Sequence, residues 1–217
     1  MEIVFKNENL ILINKPVGMP SQSDLSGDGD ALTAASLALY QMGEDKTLFL
    51  IHRLDRNVGG LMVFARNKKW AAILSSAAAE GRFSKKYFAV AEGEAAGGEY
   101  RDYLFKDSKT NKAYAVKTLR KGAKEAVLYA KPLAAADGKT LLLVELKTGR
   151  FHQIRAQFSA RGNSLAGDKK YGSRDSRAKT PALFSSSLTV EGVGEVFIKP
   201  PTDLYPWSLF DSELFKI

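Results

Sequence analysis

The apolar positions of the chain come in two rhythms. Glu2–Lys6 and Asn9–Asn14 read as short strands, the second carrying the run Leu10-Ile11-Leu12-Ile13. Lys15-Pro16-Val17-Gly18 breaks that run, and a polar, glycine-rich loop follows to about Asp30. Ala31–Gln41 predicts a helix. Leu48–Ile51 and Leu61–Ala65 are short apolar strands, and the polar segment His52–Gly60 between them, with two glycines, reads as a loop. Asn67 can cap a helix running to about Glu80, because Trp70, Ile73, Leu74 and Ala77 fall at i, i+3, i+4 and i+7, and Gly81 ends it. Lys86–Ala91 reads as a strand, and Tyr100 to Leu146 holds several antiparallel strands with polar connections. Phe151, Ile154 and Phe158 share one helical face, which predicts a helix beginning near Arg150 and stopped by Gly162. A strand near Glu195–Ile198, Pro200-Pro201 and an aromatic end with Tyr205, Trp207 and Phe210 complete the chain. The expected class is α+β, with a mixed, mainly antiparallel sheet flanked by helices. No internal repeat or linker signal divides it, so a single domain over 1–217 is expected.

Composition narrows the chemistry. The 217 residues are 45% hydrophobic and 26% charged, ordinary for a globular protein. No apolar run is long enough to span a bilayer, which needs about 18 or more residues, so no membrane association is expected. The N-terminus lacks the charged-then-apolar order of a signal peptide. Cysteine is absent, which excludes disulfides, thiolate catalysis and cysteine-ligated metals. A cytoplasmic protein fits these features. The net charge is +8, and such an excess draws polyanions, so RNA or DNA is the first partner to consider. On charge alone, a basic protein with no such partner stands equally well.

Four segments carry candidate chemistry. His52-Arg53-Leu54-Asp55-Arg56 places a carboxylate between arginines on a loop held by two strands, and nearby positive charge favours its ionised form. A surface salt-bridge cluster is the bland alternative. Thr148-Gly149-Arg150-Phe151-His152-Gln153-Ile154-Arg155 leads through a glycine turn into a helix, whose first-turn N–H groups attract phosphate. Here the alternative is an amphipathic helix with a solvated basic side. Lys85-Lys86-Tyr87 sets a tyrosine in a strand, either as a core residue or as a flat platform for a base. Gly167-Asp168-Lys169-Lys170-Tyr171-Gly172 reads as a glycine-bounded turn whose lysines can touch phosphate.

Taken in order, these segments resemble the RluA-type RNA pseudouridine synthase family. His52-Arg53-Leu54-Asp55 with Gly60-Leu61-Met62-Val63 is similar to its catalytic-loop motif, and Lys86-Tyr87 to its tyrosine motif. Gly149 to Arg155 is similar to its third motif, and Gly167-Asp168 with Tyr171-Gly172 to the segment that follows. Asn14-Lys15-Pro16 with Gly18 resembles its N-terminal lysine-proline strand end. The likeness spans nearly the whole chain. Departures occur at Asn57-Val58-Gly59, where Asp-Thr-Ser is usual, and at Ala156-Gln157-Phe158, where Val-His-Leu or Val-His-Met is frequent. They bear on RNA fit rather than on the reaction. The lysine-proline motif arrives at Lys15, so the small S4-type RNA-binding domain of many relatives is not expected ahead of it.

The resemblance implies the pseudouridine synthase fold with a central catalytic cleft, and isomerisation of uridine to pseudouridine in structured ribosomal or transfer RNA without a cofactor. Asp55 would be the catalytic carboxylate, attacking C1′ or removing the C2′ proton. Arg155 would be its ion-pair partner, with Arg150 as the substitute, and Tyr87 would stack on the uracil. Arg53 and Arg56 would hold phosphate, and Leu54 and Ile154 would line the pocket, with Arg150, His152 and Gln153 also at the substrate. The two histidines are too few for a histidine-rich metal site. Lys106–Lys124 holds seven lysines and arginines against one aspartate, and is expected as a basic hairpin that grips RNA or as a solvated one. A monomer is expected. A non-catalytic RNA-folding protein and a base-releasing glycosylase are the competing functions.

Overall fold

The structure, a computed structural model, describes residues 1–116 and 118–217. Lys117 of the basic segment lies outside the described residues. Along the chain run β1 (Glu2–Lys6), β2 (Leu10–Lys15), α1 (Ala31–Gln41), β3 (Phe49–Leu50), β4 (Gly59–Ala65) and α2 (Lys68–Ala79). Then come β5 (Ser84–Glu92), β6 (Gly98–Asp107), β7 (Lys112–Val116), β8 (Ala123–Ala136), β9 (Lys139–Leu146), α3 (Gln153–Ala160), β10 (Leu183–Val190) and β11 (Gly194–Phe197). This is the α+β class with mainly antiparallel pairing. The chain forms two compact units: Met1–Ser84 with Ser185–Ile198, and Lys85–Phe184 with Lys199–Ile217. Two boundaries fall near the ends of β5 and β10, inside regular structure, and the third just after β11, and no linker composition marks them.

In the first unit β2 pairs antiparallel with β1 and with β4, in a register that sets Lys15 opposite Gly60. Leu10, Leu12, Leu61, Val63, Leu74 and Leu188 are fully buried and form its core. β2 and β4 are buried on both faces, which is why Leu10–Ile13 is a continuous apolar run rather than an alternating one. Asp30 caps α1 by accepting from the Thr33 amide, and Asn67 caps α2 by accepting from the Trp70 amide. Each cap satisfies an N–H that the first helical turn leaves without a partner.

Strand β10 has no counterpart in the sequence-based expectation. Its centre is Ser185-Ser186-Ser187, which hides the apolar alternation that marks a strand, yet these serines are almost fully buried. They make close packing possible: Ser185 Oγ donates to Leu61 O at 3.1 Å, and Gly60, at φ +111°, lies so near Ser185 that a Cβ there would come 2.2 Å from its carbonyl oxygen.

In the second unit β5, β9, β8, β6 and β7 pair antiparallel in that order, with Tyr87 opposite Val144 and Phe105 opposite Tyr114. α3 packs on one face of this sheet through Leu104, Ala113, Ala126, Ala156 and Tyr171. α3 begins at Gln153, three residues later than the apolar periodicity suggests. The cause is His152, whose φ of +51° puts it in the left-handed region just ahead of the helix. Arg150 and His152 therefore precede the first turn instead of lying on it.

Gly60→Ala combines a positive φ with a backbone clash and is expected to destabilise the fold by at least about 2–3 kcal/mol. Gly29, around which there is open space, is the control: its alanine variant should leave the urea midpoint within error of wild type.

Candidate active site

The loop that carries Asp55 is held from below by its own unit. Lys15 is fully buried, and its ammonium donates to the carbonyl oxygens of Pro16 at 2.9 Å, Met19 at 2.7 Å and Arg56 at 3.2 Å. Three acceptors match its three donors, the condition under which a buried charge is tolerable. Burial pulls the Lys15 ammonium down from its ordinary value to about 8; the Asp55 carboxylate opposes this, and the Arg56 guanidinium adds to it. Ser21 locks the next residue along: its hydroxyl donates to Leu54 O at 2.8 Å and accepts from Leu54 N at 3.0 Å. Gly18 N donates to Arg56 O at 2.9 Å, and Arg56 Nε donates back to Gly18 O at 3.0 Å. Asp55 itself closes a turn by accepting from the Val58 amide at 3.0 Å, and its side chain is half-buried. His52 accepts the Val63 amide on Nε2 at 3.1 Å and meets the Phe83 ring edge-on at 5.3 Å. An acceptor at Nε2 places the ring hydrogen of neutral His52 on Nδ1.

Of the residues expected on phosphate, Arg53 is exposed, while Arg56 is ion-paired with Asp28 and lies 3.9 Å from Asp24. Leu54 is 6% exposed, its backbone held by Ser21.

In the second unit the third motif builds a buried polar cluster. Arg155 is 6% exposed and Asp168 fully buried. They form a bidentate pair, Nε to Oδ2 at 2.6 Å and Nη2 to Oδ1 at 2.9 Å. This fixes the plane of the guanidinium, as a fork-to-fork carboxylate contact does. Asp168, expected as an ordinary turn residue, is thus the anchor of Arg155. Its signal in the sequence was an acid beside Gly167, whose φ of +77° and closeness to Thr180 O leave no space for a side chain.

Tyr171 ties this pair to the residues before α3. The Arg155 guanidinium lies 5.0 Å from the Tyr171 ring centre. Tyr171 Oη accepts from the Ala113 amide at 2.7 Å and lies 2.9 Å from His152 Nδ1. His152 stacks on Phe151 at 3.8 Å, and the Lys106 ammonium lies 4.5 Å from that ring's centre. Burial drives the His152 imidazolium down to about 3, reinforced by the positive charge of Arg155 and Lys170 and opposed by Asp168. His152 is therefore neutral, and the phenol hydrogen of Tyr171 is placed to go to Nδ1.

Gln153 is 3% exposed and has a structural part: Oε1 accepts from Thr148 Oγ1 at 2.8 Å and from Arg150 N at 2.9 Å, and Nε2 donates to Val127 O at 3.1 Å. Arg150 is exposed and donates from Nε to Glu125 O at 2.8 Å. Ile154, at 3% exposed, and Tyr87, at 5%, are both buried. Among the described residues no cluster of three His, Asp or Glu side chains comes together to hold a metal ion, and no helix is long and apolar enough to cross a membrane.

The family model described as RNA pseudouridylate synthase matches residues 9–160, and the chain belongs to that family. It is 30% identical to the uncharacterized RNA pseudouridine synthase YhcT of Bacillus subtilis, over 87% of this chain and 63% of that one. It is 33% identical to ribosomal large subunit pseudouridine synthase C of Rickettsia felis, over 80% of this chain and 56% of that one. The chain thus spans about three-fifths of the length of these relatives. The solved structure of human RNA pseudouridylate synthase domain containing 4 shares the fold, with a TM-score of 0.76 at 23% identity over 92% of this chain and 88% of that one.

Asp168→Asn removes the counter-charge of a buried guanidinium and is expected to cost about 3–5 kcal/mol of stability, read from thermal or urea unfolding. Because the folded pKa of His152 lies below its ordinary 6.5, the unfolded chain takes up a proton there that the folded chain does not. Its contribution to stability is complete above pH 6.5 and is lost as pH falls toward 3. His152→Gln should flatten the fall in stability across that window, and an unchanged acid limb would show that His152 is protonated in the fold.

Proposed function

We propose that this chain isomerises uridine to pseudouridine within structured ribosomal or transfer RNA, with Asp55 as the reacting carboxylate. The observation that carries the reading is the Asp55 loop. A family match runs through it, and Lys15, Gly18 and Ser21 hold its backbone on both sides of Asp55. Such bracing is what an oriented catalytic group needs.

In the reaction the N1–C1′ bond breaks, the uracil turns while bound, C5 bonds to C1′, and the C5 proton departs as N1 regains one. Oxidation state is unchanged and no water is consumed. Positive charge develops on the sugar as the glycosidic bond breaks, and an ionised carboxylate stabilises it. Water has to be excluded, since it would trap the sugar as a hydrolysis product. A base inside a stem is out of reach, so the uridine is taken from a loop or bulge and flipped, at a cost of about a few kcal/mol. The roles given above for Tyr87 and Arg155 rest on the resemblance, and Tyr87→Leu and Arg155→Lys test them separately.

RNA tritiated at uracil C5 provides the assay, because isomerisation releases that tritium. The wild-type chain should release it and leave pseudouridine at a mappable position. Asp55→Asn should slow release by roughly 10²–10⁴-fold or more while RNA binding stays near wild type. Binding without release by the wild-type chain would favour the non-catalytic RNA-folding reading, and free uracil in the product would favour a glycosylase.

A further inference from the structure

Strands β6, β7 and β8 of the second unit have two unlike faces. One is occupied by α3: Leu104, Ala113 and Ala126 pack with Ala156, and Asp102 accepts from Gln157 at 2.7 Å. On the other face Phe105 stands opposite Tyr114, and Tyr103 opposite Val116. Directly opposed residues of an antiparallel pair point the same way, so the three aromatic rings share this face. It is open to solvent, with Tyr114 43% exposed and Tyr103 and Phe105 half-buried. The Arg120 guanidinium lies over the Phe105 ring, 4.5 Å from its centre. Gly122 borders the same ring, where a Cβ would come within 3.3 Å of it. By register Asp107 and Glu125 also belong to this face, opposite Lys112 and Tyr103. The Asp107 carboxylate accepts from Lys109 N at 2.8 Å and Thr110 Oγ1 at 2.9 Å in its own turn, and Glu125 is paired with Arg101.

We propose that this face is a platform for single-stranded RNA, with bases stacked on Tyr103, Phe105 and Tyr114 and phosphates met by Lys112 and Arg120. It rests on the reading of the chain as an enzyme of RNA and adds a surface to it that recognises unpaired segments. Alternate residues of one strand face stand about 7 Å apart, a spacing that splayed bases can follow. Every base has a π face, so such a platform tolerates sequence. A duplex hides those faces and offers only its backbone. Lys106 and Lys124 belong to the α3 side by register. Lys112 and Arg120, however, stand beside the rings while the acids Asp107 and Glu125 are each engaged within their own unit, which favours a polyanion over a protein as the occupant.

Fluorescence anisotropy with a labelled oligouridylate of about 12 nucleotides, within the site sizes of single-strand binding folds, and with an RNA duplex of the same length tests the proposal. Tyr114→Ala and Phe105→Leu should each weaken oligouridylate binding about tenfold, about 1.4 kcal/mol, and duplex binding by less than about twofold. Lys112→Gln with Arg120→Gln should weaken both and lower the log–log salt slope by about 1–2. Ring variants that leave oligouridylate affinity unchanged, or that weaken both probes equally, overturn the platform. If Phe105→Leu unfolds, Tyr114→Ala, at an exposed ring, decides. Pseudouridine formation is assayed on the same preparations. Ring-dependent binding without isomerisation defeats the functional reading and leaves the platform standing, whereas isomerisation with ring-independent binding defeats the platform alone.

Discussion

The Lys15 ammonium is buried at the end of β2 and donates to the carbonyls of Pro16, Met19 and Arg56. A charge without water has to find acceptors nearby, and here it finds them on two different loops. That requirement ties the loop after β2 to the loop that carries Asp55. Gly18 and Ser21 repeat the connection with backbone and hydroxyl bonds on either side of Asp55. Ordering a loop costs conformational entropy, about 1–2 kcal/mol per residue for the backbone alone. The Lys15 knot offsets that cost where the side chain at 55 must be presented in one place.

The second unit solves a related problem with a different residue. Arg155 is a guanidinium with five donors in a fixed fork, and Asp168 takes two of them in a bidentate pair. The same helix carries Gln153 and Gln157, both buried, whose amides reach Val127, Thr148 and Arg150 in one case and Tyr100, Asp102 and Ala126 in the other. α3 is therefore attached to β6 and β8 by polar side chains as well as by Ala156 and Phe158. The Gln157 amide nitrogen, with two hydrogens to give, faces the oxygens of Tyr100, Asp102 and Ala126. The departure at Ala156-Gln157-Phe158 thus acts on how the helix is seated.

Charge is distributed unevenly between these tasks. Arg56, Arg66, Arg101 and Arg155 are held by carboxylates of their own units. The residues 106–124 have almost no acids to pair with. Of the net charge of +8, residues 106–124 carry six, seven lysines and arginines less one aspartate, so the positive excess is concentrated in one segment while charges elsewhere largely cancel.

Much of the fold was legible along the chain, because apolar periodicity and caps act locally. The limits of α1 and the Asn67 cap of α2 are both legible in the sequence. β10 was not legible, because Ser185-Ser186-Ser187 is polar in composition and becomes interior only where Gly60 approaches it. The start of α3 was misplaced because a left-handed residue at His152 cannot be seen in apolar spacing. Among candidate site residues, motif order marks Asp55, Tyr87 and Arg155, whereas in the sequence Lys15 is only part of a motif and Asp168 only a turn residue. The sequence by itself determined most of the elements, β10 excepted, the family, and the positive excess that points to RNA, since these follow from local pattern and composition. Only the tertiary structure decided which polar groups are buried together, namely Lys15 with the Arg56 carbonyl, Asp168 with Arg155, and Gln153 with Val127. The reason is that a hydrogen bond between residues far apart in the chain leaves no periodic trace and exists only once both partners have left water.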